Sequence, residues 1–127
     1  MNDNTVQHLL GSIGENNRRI KILLKEKTLK FHEVQDAMDR NARTKTPLNE
    51  RQVQNFHEFA GLCAQEGGKL QHSLMGIDTT LKNGIAMDAE KNTEAVLIAI
   101  HKHQHKAIAS LRRLIASSEM TLQLLFV

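Results

Sequence analysis

The sequence predicts an all-α fold, an elongated antiparallel bundle of three long amphipathic helices with coiled-coil-like packing. Three observations carry this. Apolar residues recur at alternating spacings of three and four through most of the chain, which is the period of a helix with one apolar face. Two turn signals, Thr44-Lys45-Thr46-Pro47 and Asn83-Gly84, cut the pattern into three stretches of similar length. No segment alternates apolar and polar residues as a half-buried strand does. The expected helices are 5–44, 47–83 and 88–126, in a single domain spanning 1–127. Short connections favour an up-down-up order.

In the first stretch Val6, Leu10, Ile13, Ile20, Leu24, Phe31, Val34 and Met38 fall on the two seam positions of a seven-residue repeat, interrupted by Asn17 and Lys27. A helix of roughly 38 residues is about 57 Å long. Such a rod cannot cover its own apolar stripe, so the rest of the chain is expected to be arranged around it. Asn2, Asp3, Asn4 and Thr5 offer N-caps. Gly11 and Gly14 each cost about 1 kcal/mol against Ala, and Ser12 with Glu15 has capping-box spacing, which would suit a separate short arm. The apolar repeat runs through both glycines, and a continuous or merely kinked helix is the expectation.

The second helix is expected to be capped by Thr46 with Pro47 at its first position. Val53, Phe56, Ala60, Cys63, Gly67, Leu70, Leu74, Ile77 and Leu81 continue the repeat. Gly61, Gly67, Gly68 and Gly76 weaken this helix by about 1 kcal/mol each. With Ala60, Cys63 and Ala64 they form a zone of small residues. A break or kink near Gly67-Gly68 is expected there, the alternative being an unusually close approach of another helix. After Asn83-Gly84 as stop and Asp88 as cap, Thr93, Val96, Leu97, Ile100, Ala107, Leu111, Leu114, Ile115, Leu122 and Leu125 share one broad face of a third helix.

Composition narrows the function classes. Hydrophobic residues make up 40% of 127, too many for a disordered chain. Four Phe with no Trp or Tyr leave no platform for stacking bases or sugars. The single cysteine, Cys63, rules out an internal disulfide and a multi-thiolate zinc site, and fits a reducing compartment. No segment approaches the ~18 consecutive apolar residues of a membrane span, and the first residues lack the cationic and apolar regions of a signal peptide. A cytoplasmic protein without membrane association is expected. The formal charge is +3, and the excess lies within the first 46 residues.

Candidate chemistry is sparse. His101 and His105 share a helix face one turn apart and could hold a metal, but a specific site wants three or four ligands. His103 points away, and a solvated polar face is the expectation, with no metal and no cofactor. Arg18, Arg19, Lys21, Lys25 and Lys30 form a basic strip suited to phosphates or to an acidic partner, although such runs are usually the wet side of a helix. Asn17, Lys27, Gln104 and Ser118 sit at or near seam positions, where polar residues fix register. Cys63 lies on the inner stripe as an inert thiol. The glycines match no nucleotide-binding loop.

No nucleophile with its base and no carboxylate pair can be argued, so an enzyme is not expected. The reading is a non-enzymatic protein–protein interaction module holding a partner segment on its helices, with Ile22, Leu29, Phe59, Met75 and Phe126 as partner-binding positions. A homodimer is a further expectation, because the apolar faces are broad. In shape and composition the chain is similar to small helical secretion chaperones and adaptors. The likeness carries no residue across. The alternative is a nucleic-acid-associated protein using the basic strip of the first helix.

Overall fold

The computed structural model describes residues 3–44, 47–86 and 89–125, with side chains described for 4–44, 47–82 and 93–124. It contains three helices, α1 (Asp3–Thr44), α2 (Glu50–Ala86) and α3 (Ala89–Leu125). At 42 and 37 residues these rods are about 63 and 56 Å long. Among the described residues there is no strand, and no helix is long and apolar enough to cross a membrane. The up-down-up order is visible in the pairings. Ser12 meets His101, Asn16 meets Gln104 and Lys30 meets Glu119, so α1 and α3 run parallel. Glu66 meets Arg113 and Gln52 meets Leu124, so α2 runs antiparallel to α3.

The helix at the centre is α3, not α1. Both α1 and α2 pack along α3, and seven of the eleven buried apolar residues of the described chain are on it: Leu97, Ile100, Ala107, Ile108, Leu111, Leu114 and Ile115. The expectation that the first helix organises the rest fails for a physical reason. The apolar arc of α3 is broad enough to serve two neighbours, whereas the stripe of α1 is narrow and only partly covered. Within that stripe Ile20 and Val34 are buried, while Leu10 and Met38 are exposed. The core joins Ile20 of α1, Leu70 of α2 and Ala107, Ile108, Leu111 and Leu114 of α3. Each fully buried leucine there contributes roughly 1.5–3 kcal/mol.

The glycines of α1 do not interrupt it, and the helix is continuous through Gly11 and Gly14. The second helix begins later than expected. Residues 47–49 are not helical, and Thr46 lies outside the described residues. The cap is Asn49, whose Oδ1 accepts from the Gln52 amide at 2.8 Å while the Asn49 amide donates to Gln52 Oε1 at 3.0 Å. This reciprocal box satisfies two otherwise orphaned backbone donors. At the far end α2 continues through Asn83-Gly84 to Ala86, so that pair does not stop the helix. Asp88 lies outside the described residues.

The expected break at Gly67-Gly68 is absent, since α2 is one helix across it. Nor does another helix approach closely there, because a Cβ built on either glycine has no neighbour within 4 Å. The close approach is one repeat further on. A Cβ on Gly76 would stand 2.6 Å from His103 Cε1, so the imidazole of α3 occupies the space that Gly76 leaves.

Candidate functional site

The two helices flanking α3 leave part of their apolar stripes uncovered. Between α1 and α2 runs a groove of about 480 Å³ with Leu114 of α3 among its lining residues. Leu24 and Phe31 line it from α1, and Cys63, Gly67, Leu70, Leu74 and Met75 from α2. Beyond one end Phe31 and Phe59 bridge the two helices edge to face, centroids 6.1 Å apart, and Phe56 packs on Phe59 in the same manner at 6.4 Å. Lys27 and Asp78 give the groove one cation and one anion. The Lys27 ammonium also lies 5.3 Å from the centre of the Phe31 ring, a cation–π contact. Gly67, Leu70 and Leu74 follow one another here at seam spacings of three and four, so the repeat read in the sequence is only partly covered by the chain itself.

Of the expected partner-binding positions, Met75 lines this groove and is 60% exposed. Phe59 is partly buried in the aromatic bridge. Ile22 and Leu29 are exposed on α1 but do not line the groove. Ile22 sits beside Glu15, Arg18 and Arg19, and Leu29 beside Lys25 and Thr28. Phe126 lies outside the described residues. The Cys63 thiol is pushed above its ordinary pKa by burial, an effect the nearby Lys27 opposes. It is therefore a poor nucleophile at neutral pH.

The basic strip of α1 divides in two. Arg18, Arg19, Lys21 and Lys25 are exposed. Lys30 is engaged with Glu33 at 3.6 Å and Glu119 at 3.8 Å, the latter tying α1 to α3.

A polar layer joins α1 to α3 near their N-terminal halves. Gln104 is wholly buried. Its Nε2 donates to Asn17 Oδ1 at 2.7 Å and to the Ile13 carbonyl at 3.1 Å, and its Oε1 accepts from Asn16 Nδ2 at 3.3 Å. A buried amide with both ends satisfied is stabilising only in one register of the two helices. One turn away the Ser12 hydroxyl is hydrogen-bonded to His101 Nε2 at 2.9 Å. His101 is thus partly buried against α1 and not on a solvated face as the sequence suggested, while His105 is exposed. Their rings are 4.4 Å apart. Among the described residues no third His, Cys, Asp or Glu joins them in a metal-binding group. Burial, then the neighbouring His105 and His8, hold the His101 pKa below its ordinary 6.5.

Two functional-looking residues had no signal in the sequence. Glu66 is a buried carboxylate, 5% exposed, whose Oε1 meets Arg113 Nε at 3.1 Å and Lys69 Nζ at 3.6 Å. Its Oε2 and the Nδ1 of His103 are buried without a hydrogen-bond partner. Both residues occur in ordinary polar runs, and only the packing of α2 on α3 singles them out. In comparisons with protein-family models, curated proteins and solved structures, nothing matches this chain.

Proposed function

We propose that this protein is a non-enzymatic interaction module that holds an amphipathic helix of a partner protein in the groove between α1 and α2. The observation that supports the reading is the unshared apolar surface: two helices flank a third and leave an apolar trough on the side where a four-helix bundle would place its fourth member. An apolar stripe on the partner would meet Leu24, Phe31, Leu74 and Met75. A basic residue beside that stripe would face Asp78, and an acidic one would face Lys27. A cytoplasmic chaperone or adaptor is the role such a module would serve, and a second copy of the chain is the competing occupant.

Cys63 in the groove makes the test direct. A photo-crosslinking amino acid incorporated in place of Cys63, followed by mass spectrometry from native cells, is expected to capture an amphipathic helical segment of another protein. Met75→Glu, at an exposed position, is expected to abolish capture without unfolding the bundle. Crosslinks only to a second copy would replace this reading with a homodimer. Crosslinks insensitive to Met75→Glu would overturn the groove.

A second reading keeps one specific observation in its favour: Arg18, Arg19, Lys21 and Lys25 stay exposed along α1. Four such cations on a single strand predict a slope of roughly −3 in log affinity against log salt. A binding affinity unchanged by salt would remove the nucleic-acid reading.

A further inference from the structure

On the side of α3 walled by α2, a cleft of about 460 Å³ is lined by Lys69, His72 and Ser73 of α2 and by His105, Lys106, Ser110 and Arg113 of α3. We propose that this cleft binds a phosphate group, free or carried on a small phosphomonoester. Two independent observations converge on it. The first is charge. Lys69, Lys106 and Arg113 stand against the single carboxylate of Glu66, which leaves a net positive charge of two. The second is the pair of serines. Ser73 is 3% exposed and Ser110 2% exposed, and neither hydroxyl has a hydrogen-bond partner among the described residues although both line the cleft.

Buried hydroxyls are ordinarily satisfied, and helix serines do so most easily by donating to the carbonyl one turn back. Ser118 does this, donating to the Leu114 carbonyl at 2.8 Å. Ser73 and Ser110 make no such bond among the described residues, and their hydroxyls, which are not among the buried unpartnered atoms, open on the cleft with a donor each for a ligand. Glu66 prepares the site and does not fill it. By taking the Arg113 Nε at 3.1 Å it restrains the guanidinium and leaves the two terminal nitrogens available. A fork of guanidinium nitrogens, a mobile ammonium and two hydroxyl donors match the three acceptor oxygens of a phosphate better than the two of a carboxylate. The cleft is larger than inorganic phosphate requires, which leaves room for an organic substituent. The site is separate from the groove between α1 and α2.

Amide NMR titration of the full chain with inorganic phosphate, and in parallel with glycerol 3-phosphate, tests this. Saturable shifts at Ser73, Lys106 and Ser110 are expected with either probe, and tighter binding of the ester would identify a small phosphomonoester as the ligand, equal or weaker binding free phosphate. Lys106→Gln, at an exposed position, and Ser110→Ala are each expected to weaken binding about tenfold, the loss of one charge-assisted hydrogen bond. Arg51→Gln, at an exposed position near the start of α2, changes the net charge equally and is expected to leave binding unaltered. Linear shifts without saturation, displacement by equimolar chloride, or an equal loss with Arg51→Gln would overturn the site.

Discussion

Gly76 and His103 are matched: the imidazole lies where a side chain at position 76 would begin, with Cε1, Nδ1 and Nε2 all within 2.9 Å of that point. Adding a methyl there overpacks the contact between α2 and α3, which costs about 1–3 kcal/mol. Better helix propensity returns about 1 kcal/mol. Gly76→Ala is therefore expected to melt below the parent. In a His103→Ala background, where the space is vacant, the same change is expected to raise the melting temperature. A Gly76→Ala effect of the same size in both backgrounds would show that the two residues are not coupled.

At Gly67 and Gly68 the opposite outcome is expected. Neither position has a neighbour that a Cβ would meet, and both lie inside a continuous helix. Gly67→Ala and Gly68→Ala should each stabilise by roughly 0.5–1 kcal/mol, because alanine loses less backbone entropy on folding. Gly67→Leu places a bulky side chain into the groove between α1 and α2. Its expected signature is a folded protein that no longer captures a helix at Cys63. Urea denaturation of the three variants, with crosslinking of the third, separates these effects.

The Gln104 knot offers a test of register. Gln104→Leu leaves the buried Asn16 amide without its partner, a loss of about 1–3 kcal/mol, while the Ile13 carbonyl keeps its bond within α1. Replacing Asn16 as well, in Asn16→Leu/Gln104→Leu, is expected to recover part of the stability while removing the contact that selects one alignment of α1 on α3. Broadened or doubled amide resonances along α1 would be its mark. A double variant with sharp single resonances would show that Lys30–Glu119 and the core suffice to set the alignment.

Acid should weaken the bundle through His101. Its folded-state pKa is lowered, so the folded protein binds a proton less readily than the unfolded chain. The associated stability is complete above the unfolded value of about 6.5 and is lost as pH falls through that value toward the folded one. Melting temperatures measured from pH 8 to pH 5 are expected to drop below about pH 6.5, with a shallower drop in His101→Gln, which can still reach Ser12. Equal slopes in the two proteins would place the acid sensitivity at other groups.

Much of the fold was legible because helix periodicity is a local property. The recurrence of Val6, Leu24, Phe31 and their counterparts marks each helix and its apolar face, and two short connections leave the up-down-up order as the simplest. The capping box of Asn49 and Gln52 was also written locally, but Pro47 is the louder signal and drew the predicted start three residues early. The register role of Asn17 and Gln104 was legible in outline, since polar residues on a seam must find partners. Asn16, one position off the seam, was not.

By itself, then, the sequence determined three amphipathic rods, their order, an aliphatic core and a single thiol. Tertiary structure alone decided which rod sits at the centre and what the leftover surface forms. Periodicity states that a face is apolar, but it cannot state how that face is divided between two neighbours. Leu111 and Leu114 are buried because α1 and α2 both lean on α3, while Leu74, on an equally regular stripe, is only partly buried and lines the groove beside the exposed Met75. The close approach at Gly76 and the placing of Ser73 and Ser110 along one cleft are likewise properties of two helices at a given offset. That offset comes from packing, where each ångström of shift changes which side chains meet.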